Sequence, residues 1–304
     1  MNNQEKGSQP APLKGVIAVA LVKFIYWLPR SFTSRLSQFI NKLAFQLSSK
    51  KRNIILTNLN IAFPHLDQKQ QIELAKKSTK HAGSLLPEFL IAWFGDRQQI
   101  ENEISQTYNR EIVDQLIDKG KPVIVVTPHI GNWEFLGQWV QIYFPMIALY
   151  TASKIPQMDQ LILNARSKFG GQHYSTDNKG ILNLLRSLKK GRLMLILPDQ
   201  VPKQGAGIFS SFFGKPAYTM TLVNKFIQKT NAQLVFAYCV RRANNQGFEI
   251  KFELPEFDSF EVDPAIFNQG MNNQIETIIK QYPEQYVWDY KRFKQQPDGK
   301  SLYS

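Results

Sequence analysis

The segment Thr127-Pro-His-Ile-Gly-Asn-Trp-Glu134 sets an imidazole and a carboxylate five positions apart. Those two groups can do general acid–base work. A carboxylate bonded to one imidazole nitrogen fixes the tautomer and raises the basicity of the other nitrogen, which can then take a proton from a hydroxyl. A hydroxyl activated in this way can attack an acyl carbonyl directly. On one helix His129 and Glu134 would point in different directions, but across a strand-turn-helix corner they can face each other. The neighbouring residues predict such a corner. Residues 122–127 form an apolar run that reads as a strand, Pro128 stops it, and Gly131 permits a sharp turn. Asn132 is a good N-cap, and Glu134 falls in the first helical turn, where the dipole favours an ionised carboxylate. The plainer account is that His129 ends a strand and Glu134 decorates a helix start.

Other chemistries lack the residues they need. The chain has no GxSxG elbow, no Walker loop and no GxGxxG fingerprint. Its four histidines, His65, His81, His129 and His173, and its single cysteine fall in no HExxH or CxxC pattern, so no metal site is expected. Cys239 lies in the apolar run 234–240, where a buried thiol is a poor nucleophile. The expectation is an enzyme with no metal, no cofactor and no covalent intermediate.

The elements that would position this pair alternate. Residues 52–63 and 68–94 carry apolar side chains at helical intervals, so the first hundred residues read as helical. Strands are then predicted at 122–127, 146–150, 193–197, 233–241 and 248–254. Helices are predicted at 110–117, 132–142, 157–169, 179–189, 218–229 and 269–282, with an aromatic and basic tail at 286–294. Continuously apolar strands separated by helices indicate an α/β fold with a mostly parallel sheet covered by helices on both faces. Ligands bind such sheets at the carboxyl ends of the strands, where His129 would sit.

The chain of 304 residues carries a net charge of +13. Through Arg52, nine basic residues minus one acid, Glu5, leave +8 in the N-terminal sixth. These charges are interleaved with the apolar run 16–28 and with residues 34–47, whose apolar positions recur at helical spacing. Spanning a bilayer takes about 20 apolar residues. The first run is shorter, holds Lys23 and ends at Pro29. A helix lying in the membrane interface fits it better than a spanning one, with a buried core helix as the plain alternative. Trp27-Leu-Pro-Arg-Ser is no signal-peptide cleavage site, so the segment is expected to stay in the mature protein. The lone thiol agrees with a cytosolic body. The organisation expected is a membrane-associating helical segment at 1–52 and an acyltransferase domain at 53–304. Nucleic-acid binding, the other use of a basic excess, has no recognisable module here.

The segment from Thr127 to Glu134 resembles the HxxxxE block of the bacterial lipid A late acyltransferases, the lauroyl and myristoyl transferases, within the lysophospholipid acyltransferase superfamily. Further blocks follow in the family's order: Asn164-Ala-Arg166 with Gly170-Gly171, Gly191 through Leu197-Pro-Asp-Gln200, Phe212-Phe-Gly-Lys-Pro-Ala217, and Tyr286-Val-Trp-Asp-Tyr-Lys-Arg-Phe-Lys294. The resemblance implies transfer of an acyl chain from acyl carrier protein to the hydroxyl of a 3-hydroxyacyl chain on a Kdo-containing lipid A precursor, at the cytoplasmic face of the inner membrane. It implies His129 and Glu134 as the catalytic pair, and Arg166 and Asp199 as substrate-binding residues. After Gln200, where many members carry a further acidic residue, Val201-Pro-Lys follows.

Arg166 would fork onto a phosphate of the lipid or of the carrier's phosphopantetheine arm, or pair with Asp199. Asp199 would orient partners or serve the fold alone. Phe209, Phe212 and Phe213 would wall an acyl channel or pack as ordinary core. Lys189, Lys190 and Arg192, or Lys291, Arg292 and Lys294, would dock an acidic carrier protein or form a solvated face. Two other functions fit: acylation of another membrane glycolipid or aminolipid, and non-catalytic binding at a membrane surface.

Overall fold

The computed structural model describes residues 13–243 and 246–303. Its strands are β1 (Ile104–Tyr108), β2 (Val123–Val126), β3 (Met146–Tyr150), β4 (Gln172–Ser175), β5 (Leu193–Ile196), β6 (Gly207–Phe212), β7 (Lys215–Met220), β8 (Gln233–Arg241) and β9 (Phe248–Glu253). Seven of them form one sheet in the order β1-β9-β8-β2-β5-β3-β4, and β6 and β7 pair separately as a hairpin. Within the large sheet only β8 and β9 run antiparallel.

The helices are α1 (Leu13–Trp27), α2 (Arg30–Leu47), α3 (Ser49–Ala62), α4 (Gln68–Phe94), α5 (Arg97–Glu103), α6 (Glu111–Asp118), α7 (Trp133–Tyr143), α8 (Pro156–Ser167), α9 (Asn178–Leu188), α10 (Leu222–Thr230) and α11 (Pro264–Gln281). They cover both faces of the sheet. Along β2, Ile124 and Val126 enter a core shared with Leu59, Leu184, Phe226 and Ile275 from α3, α9, α10 and α11. Val123 and Val125 point the other way, into a core shared with Ile100, Val113, Phe135 and Val140 from α5, α6 and α7. Burial on both faces explains why β2 reads as unbroken valine and isoleucine.

Three features depart from the sequence expectation. Residues 218–229 divide into the end of β7 and α10 instead of forming one helix. The hairpin turns at Phe213 and Gly214, both with positive φ (49° and 72°), which suits the twist of a two-residue connection. Its alternation is blurred because Phe209 and Tyr218, a cross-strand pair with ring centroids 5.2 Å apart, are both partly exposed. The edge strands β1 and β4 and the short α5 also escaped detection. Polar strands such as Gln172-His-Tyr-Ser pair on one side only and carry no apolar run.

The second N-terminal helix, α2, packs on the body with small and polar residues turned inward. α4, opened by a reciprocal capping box between Asp67 and Gln70 (2.8 and 2.9 Å), supports α2 along its length. On α2, Thr33 is buried and Gln38 donates to Ser84 Oγ at 2.9 Å, whereas Phe32, Leu36, Phe39, Ile40, Leu43 and Leu47 are exposed. Among the described residues no helix is long and apolar enough to cross a membrane.

Candidate active site

β2 ends beside β5 and β8, and the turn after it is held by three backbone hydrogen bonds to β8 and the C-terminal segment. Gly131 N donates to Gln285 O (3.0 Å), Asn132 N to Cys239 O (2.7 Å), and Val287 N to His129 O (3.2 Å). Gly131 has φ +57°, and a Cβ there would lie 2.0 Å from Cys239 O, so both the conformation and the space require glycine. Asn132 caps α7 by accepting from Phe135 N (2.9 Å) and donates to Glu88 Oε2 (3.1 Å). Glu88 is itself gripped by Arg241 (2.7 and 2.6 Å from Nη2). The corner read from the sequence is present and is braced from beneath by a buried ion pair.

The imidazole of His129 is held by Asp199 and not by Glu134. His129 Nδ1 lies 2.6 Å from Asp199 Oδ1, and His129 N donates to Asp199 Oδ2 at 2.9 Å. A carboxylate can only accept, so Nδ1 carries the proton and Nε2 presents its lone pair. Asp199 is 2% exposed. Burial pushes its carboxyl up, but the His129 imidazole and backbone N–H, together with Arg292, outweigh this and hold it below the usual carboxylate range. Nε2 faces the Gln200 amide at 3.2 Å, and the Trp133 ring packs edgewise on the imidazole at 5.1 Å.

Glu134 and Arg166 form a second pair. Arg166 Nε lies 3.2 Å from both Glu134 oxygens, Nη2 also bonds to Oε1, and Trp93 Nε1 donates to Oε2 at 3.0 Å. Arg166 therefore pairs with Glu134, not with Asp199. Burial lowers the guanidinium's pKa, and Glu134 more than reverses this, raising it above its usual value. Nη1 makes no hydrogen bond among the described residues, and the side chain is 34% exposed. It is available to a ligand anion.

The His129 imidazole and the Glu134–Arg166 pair open on one groove of about 390 Å³, which Gln200 also lines. Met146, Leu149, Leu195, Leu197, Met220 and Leu222 give it apolar walls, interrupted by polar residues such as Gln138, Gln141 and His173. An imidazole nitrogen with a free lone pair beside a groove with apolar walls suits acyl chemistry.

The family model for the bacterial lipid A biosynthesis acyltransferases matches residues 8–295. The chain belongs to that family. Among its relatives, the lipid A biosynthesis acyltransferase of Haemophilus influenzae is 26% identical, over 95% of this chain and 89% of the relative. The lipid A biosynthesis lauroyltransferase of Escherichia coli is 23% identical over 93% and 92%, and its palmitoleoyltransferase 25% over 90% and 89%. As a lipid A acyltransferase family member, the protein brings His129, Glu134 and Arg166 to one groove with Asp199 buried behind the imidazole, paired otherwise than their spacing suggested.

Some residues at this candidate site were not singled out from the sequence. Gln200 and Tyr286 fell within blocks of the family resemblance without a role, and Trp93 carries no pattern that marks it, since it reaches Glu134 through tertiary contact. Arg292, expected on a basic surface with Lys291 and Lys294, is 2% exposed and cannot dock a carrier. Phe212 is core, at 1% exposed, and Phe209 and Phe213 do not line the groove. Lys189 and Lys190 are exposed.

Proposed function

We propose that the protein transfers a fatty acyl group from acyl carrier protein to the hydroxyl of a 3-hydroxyacyl chain on a Kdo-containing lipid A precursor, with His129 as general base. The observation that carries this reading is the 2.6 Å bond from His129 Nδ1 to Asp199, which leaves the Nε2 lone pair at the edge of a groove with apolar walls. The acceptor hydroxyl takes the place of the Gln200 amide on Nε2. As its oxygen attacks the thioester carbonyl, the proton passes to Nε2. When the tetrahedral intermediate collapses, the C–S bond breaks and the imidazolium returns the proton to the leaving thiolate. The buried Asp199 carboxylate stabilises the imidazolium between these two transfers.

Glu134 acts in this scheme through Arg166. It fixes the guanidinium plane and leaves Nη1 to receive a phosphate or the developing oxyanion. The HxxxxE spacing then joins a base to a positioning carboxylate.

The reaction is placed at the cytoplasmic face of the inner membrane, with residues 1–52 as the membrane-associating part and 53–304 as the acyltransferase domain. In support, α1 exposes Leu13, Val16, Ile17, Leu21, Phe24 and Trp27, α2 exposes the apolar row described above, and Lys14, Lys23, Arg35 and Lys42 are exposed among them. A helix whose apolar face points away from its own core suits an interface with lipid.

Transfer from acyl carrier protein to the lipid A precursor tests the assignment. His129→Ala and Asp199→Asn should each lower kcat/KM by about 100-fold or more, the usual size of a general-base contribution. Glu134→Gln should raise KM as well as lower kcat. Folded His129→Ala protein with an undiminished rate would remove the base, and activity only on another membrane glycolipid or aminolipid would replace the acceptor.

A further inference from the structure

Five of the described helices hold a glycine, a poorer helix former than alanine: Gly15 in α1, Gly83 in α4, Gly137 in α7, Gly180 in α9 and Gly270 in α11. At four of them a Cβ would come too close to an atom beyond the helix. The distances are 1.8 Å to Gln157 Oε1 from Gly15, 2.7 Å to Gln38 Cα from Gly83, 2.0 Å to Ser175 O from Gly180, and 2.5 Å to Phe257 Cδ2 from Gly270. Close neighbours account for glycine there. Gly137 has none. A Cβ on it would touch only Leu195 Cδ2, at 3.8 Å, an ordinary van der Waals contact. Its chain neighbours Leu136 and Gln138 are buried, whereas Gly137 is half-buried and opens on the groove beside His129.

The groove has a blind arm at this point. β2, β5 and β3 are parallel, so α7 leaves the carboxyl end of β2 and returns to the amino end of β3. Glu134, Gly137 and Gln141 therefore line the arm in that order, over Leu195, Ala148 and Met146 of the sheet. The rise of a helix puts Gln141 about 10 Å beyond Glu134. There the arm is closed. Gln141 Oε1 accepts from Phe169 N (3.1 Å) and Gly171 N (3.2 Å), its Nε2 donates to Gln138 Oε1 (2.9 Å), and Gln138 Nε2 donates to Ala165 O (3.0 Å). These amides already have partners, so they form a wall and not a polar binding site. Behind them a Cβ on Gly171 would lie 2.9 Å from Met146 Cε, which shows how tightly the end is packed. Of the ionisable groups beside the arm, Arg166 is paired with Glu134, and His173 is neutral at physiological pH.

The geometry points to Gly137 as a specificity-determining residue: its missing side chain leaves room for the methyl end of the transferred acyl chain, whose length is limited by the closed end at Gln141 and Met146. A blind arm takes one alkyl end. An acceptor that carries several chains on a sugar scaffold cannot be threaded into it. The arm begins beside His129 and Glu134, where the thioester carbonyl must lie during attack. The proposal rests on the acyl-transfer reading and adds to it what selects the donor.

The test compares kcat/KM for acyl carrier protein loaded with chains of increasing length, in wild type, Gly137→Ala and Gly137→Leu. Gly137→Leu should lower kcat/KM for the longest chain accepted by wild type about 10-fold or more relative to shorter chains, the size of a misfit by one methylene. Gly137→Ala should shift the preference the same way by a smaller step, yet melt at a higher temperature, because alanine is the better helix former and meets no close neighbour. If Gly137→Leu does not fold, Gly137→Ala decides alone. A lower melting temperature for Gly137→Ala would make Gly137 a packing residue and overturn the proposal. So would an unchanged length preference, or an effect confined to the KM of the lipid acceptor. Displacement of a fluorescent fatty acid by free fatty acids of increasing length, measured on the same proteins, separates the two readings. Wild type that transfers no chain to the lipid A precursor would remove the acyl-transfer reading. Loss of long-chain displacement in the Gly137 variants would still support the arm, and its retention would overturn it.

Discussion

An imidazole that must accept a proton differs from its neighbours by what surrounds it. His173, in the same groove, is pushed down to about 4, first by burial and then by Arg166, partly opposed by Glu134. His81, beneath the turn, is pushed down to about 3 by burial, Arg241 and Lys80, and its Nδ1 bonds to the Arg241 guanidinium. Both are neutral spectators at physiological pH. In the unfolded chain each would bind a proton near pH 6.5, so below that pH the unfolded state holds more protons and folding weakens. The loss runs from about pH 6.5 down to about 4 for His173 and to about 3 for His81. Each group contributes at most about 1.4 kcal/mol per pH unit. Urea midpoints measured across this window should fall with pH less steeply in His81→Gln than in wild type. Parallel slopes would show that His81 is protonated in the native state.

The sequence showed which residues meet at the site better than it showed how they pair. His129 and Glu134 are neighbours in the chain, so spacing suggested a bond between them. The bonds go instead to Asp199 and Arg166, 70 and 32 positions away respectively. Asp199 reaches His129 because β5 lies beside β2, an adjacency that strand patterns do not reveal. Arg292 was misplaced for a related reason. Its charged flanks, Lys291 and Lys294, suggested a solvated face, yet Tyr286, Trp288 and Phe293 carry the segment into the core.

Among elements, the buried strands β2, β3 and β8 were legible as unbroken apolar runs, and the long helix α4 by its helical spacing. The β6–β7 hairpin, half exposed, left none. On α2 helical spacing was visible, but which face turned inward was not. The answer lies in its small and polar residues, which meet α4 closely at Gly83. A Cβ on Gly83 would sit 2.7 Å from Gln38 Cα, a backbone atom that cannot swing aside. Gly83→Ala gains about 1 kcal/mol of helix propensity. The overpacking costs about 1–3 kcal/mol, and because the contact is with backbone the upper part of that range applies. The net expected effect is a lower melting temperature, with α2 the segment whose amide exchange accelerates most. A higher melting temperature with unchanged exchange would mean that the helices part at no cost.

At the scale of the molecule, the charge is concentrated where the apolar exposure is greatest. Each lysine near an anionic surface contributes about 1 kcal/mol at low salt, and the attraction falls off within a Debye length. In flotation with vesicles, the protein should partition into anionic membranes more than neutral ones and be partly released by salt. Leu36→Ser/Phe39→Ser should weaken partition without changing the melt. Equal partition of wild type and this variant would leave the exposed face of α2 without a lipid partner.

The turn that carries His129 is bonded to Cys239 on β8 and to Gln285 and Val287 near the C-terminus. During synthesis these partners emerge long after the turn. A nascent chain elongated through Gln200 contains His129, Glu134, Arg166 and Asp199, and Asp199 and Glu88 can bond to the loop that bears the imidazole, yet its three backbone bonds to Cys239, Gln285 and Val287 are still missing. The groove is therefore among the last features to form, and a nascent chain carries its full set of acid–base residues for roughly the last third of its elongation before the loop is fully braced.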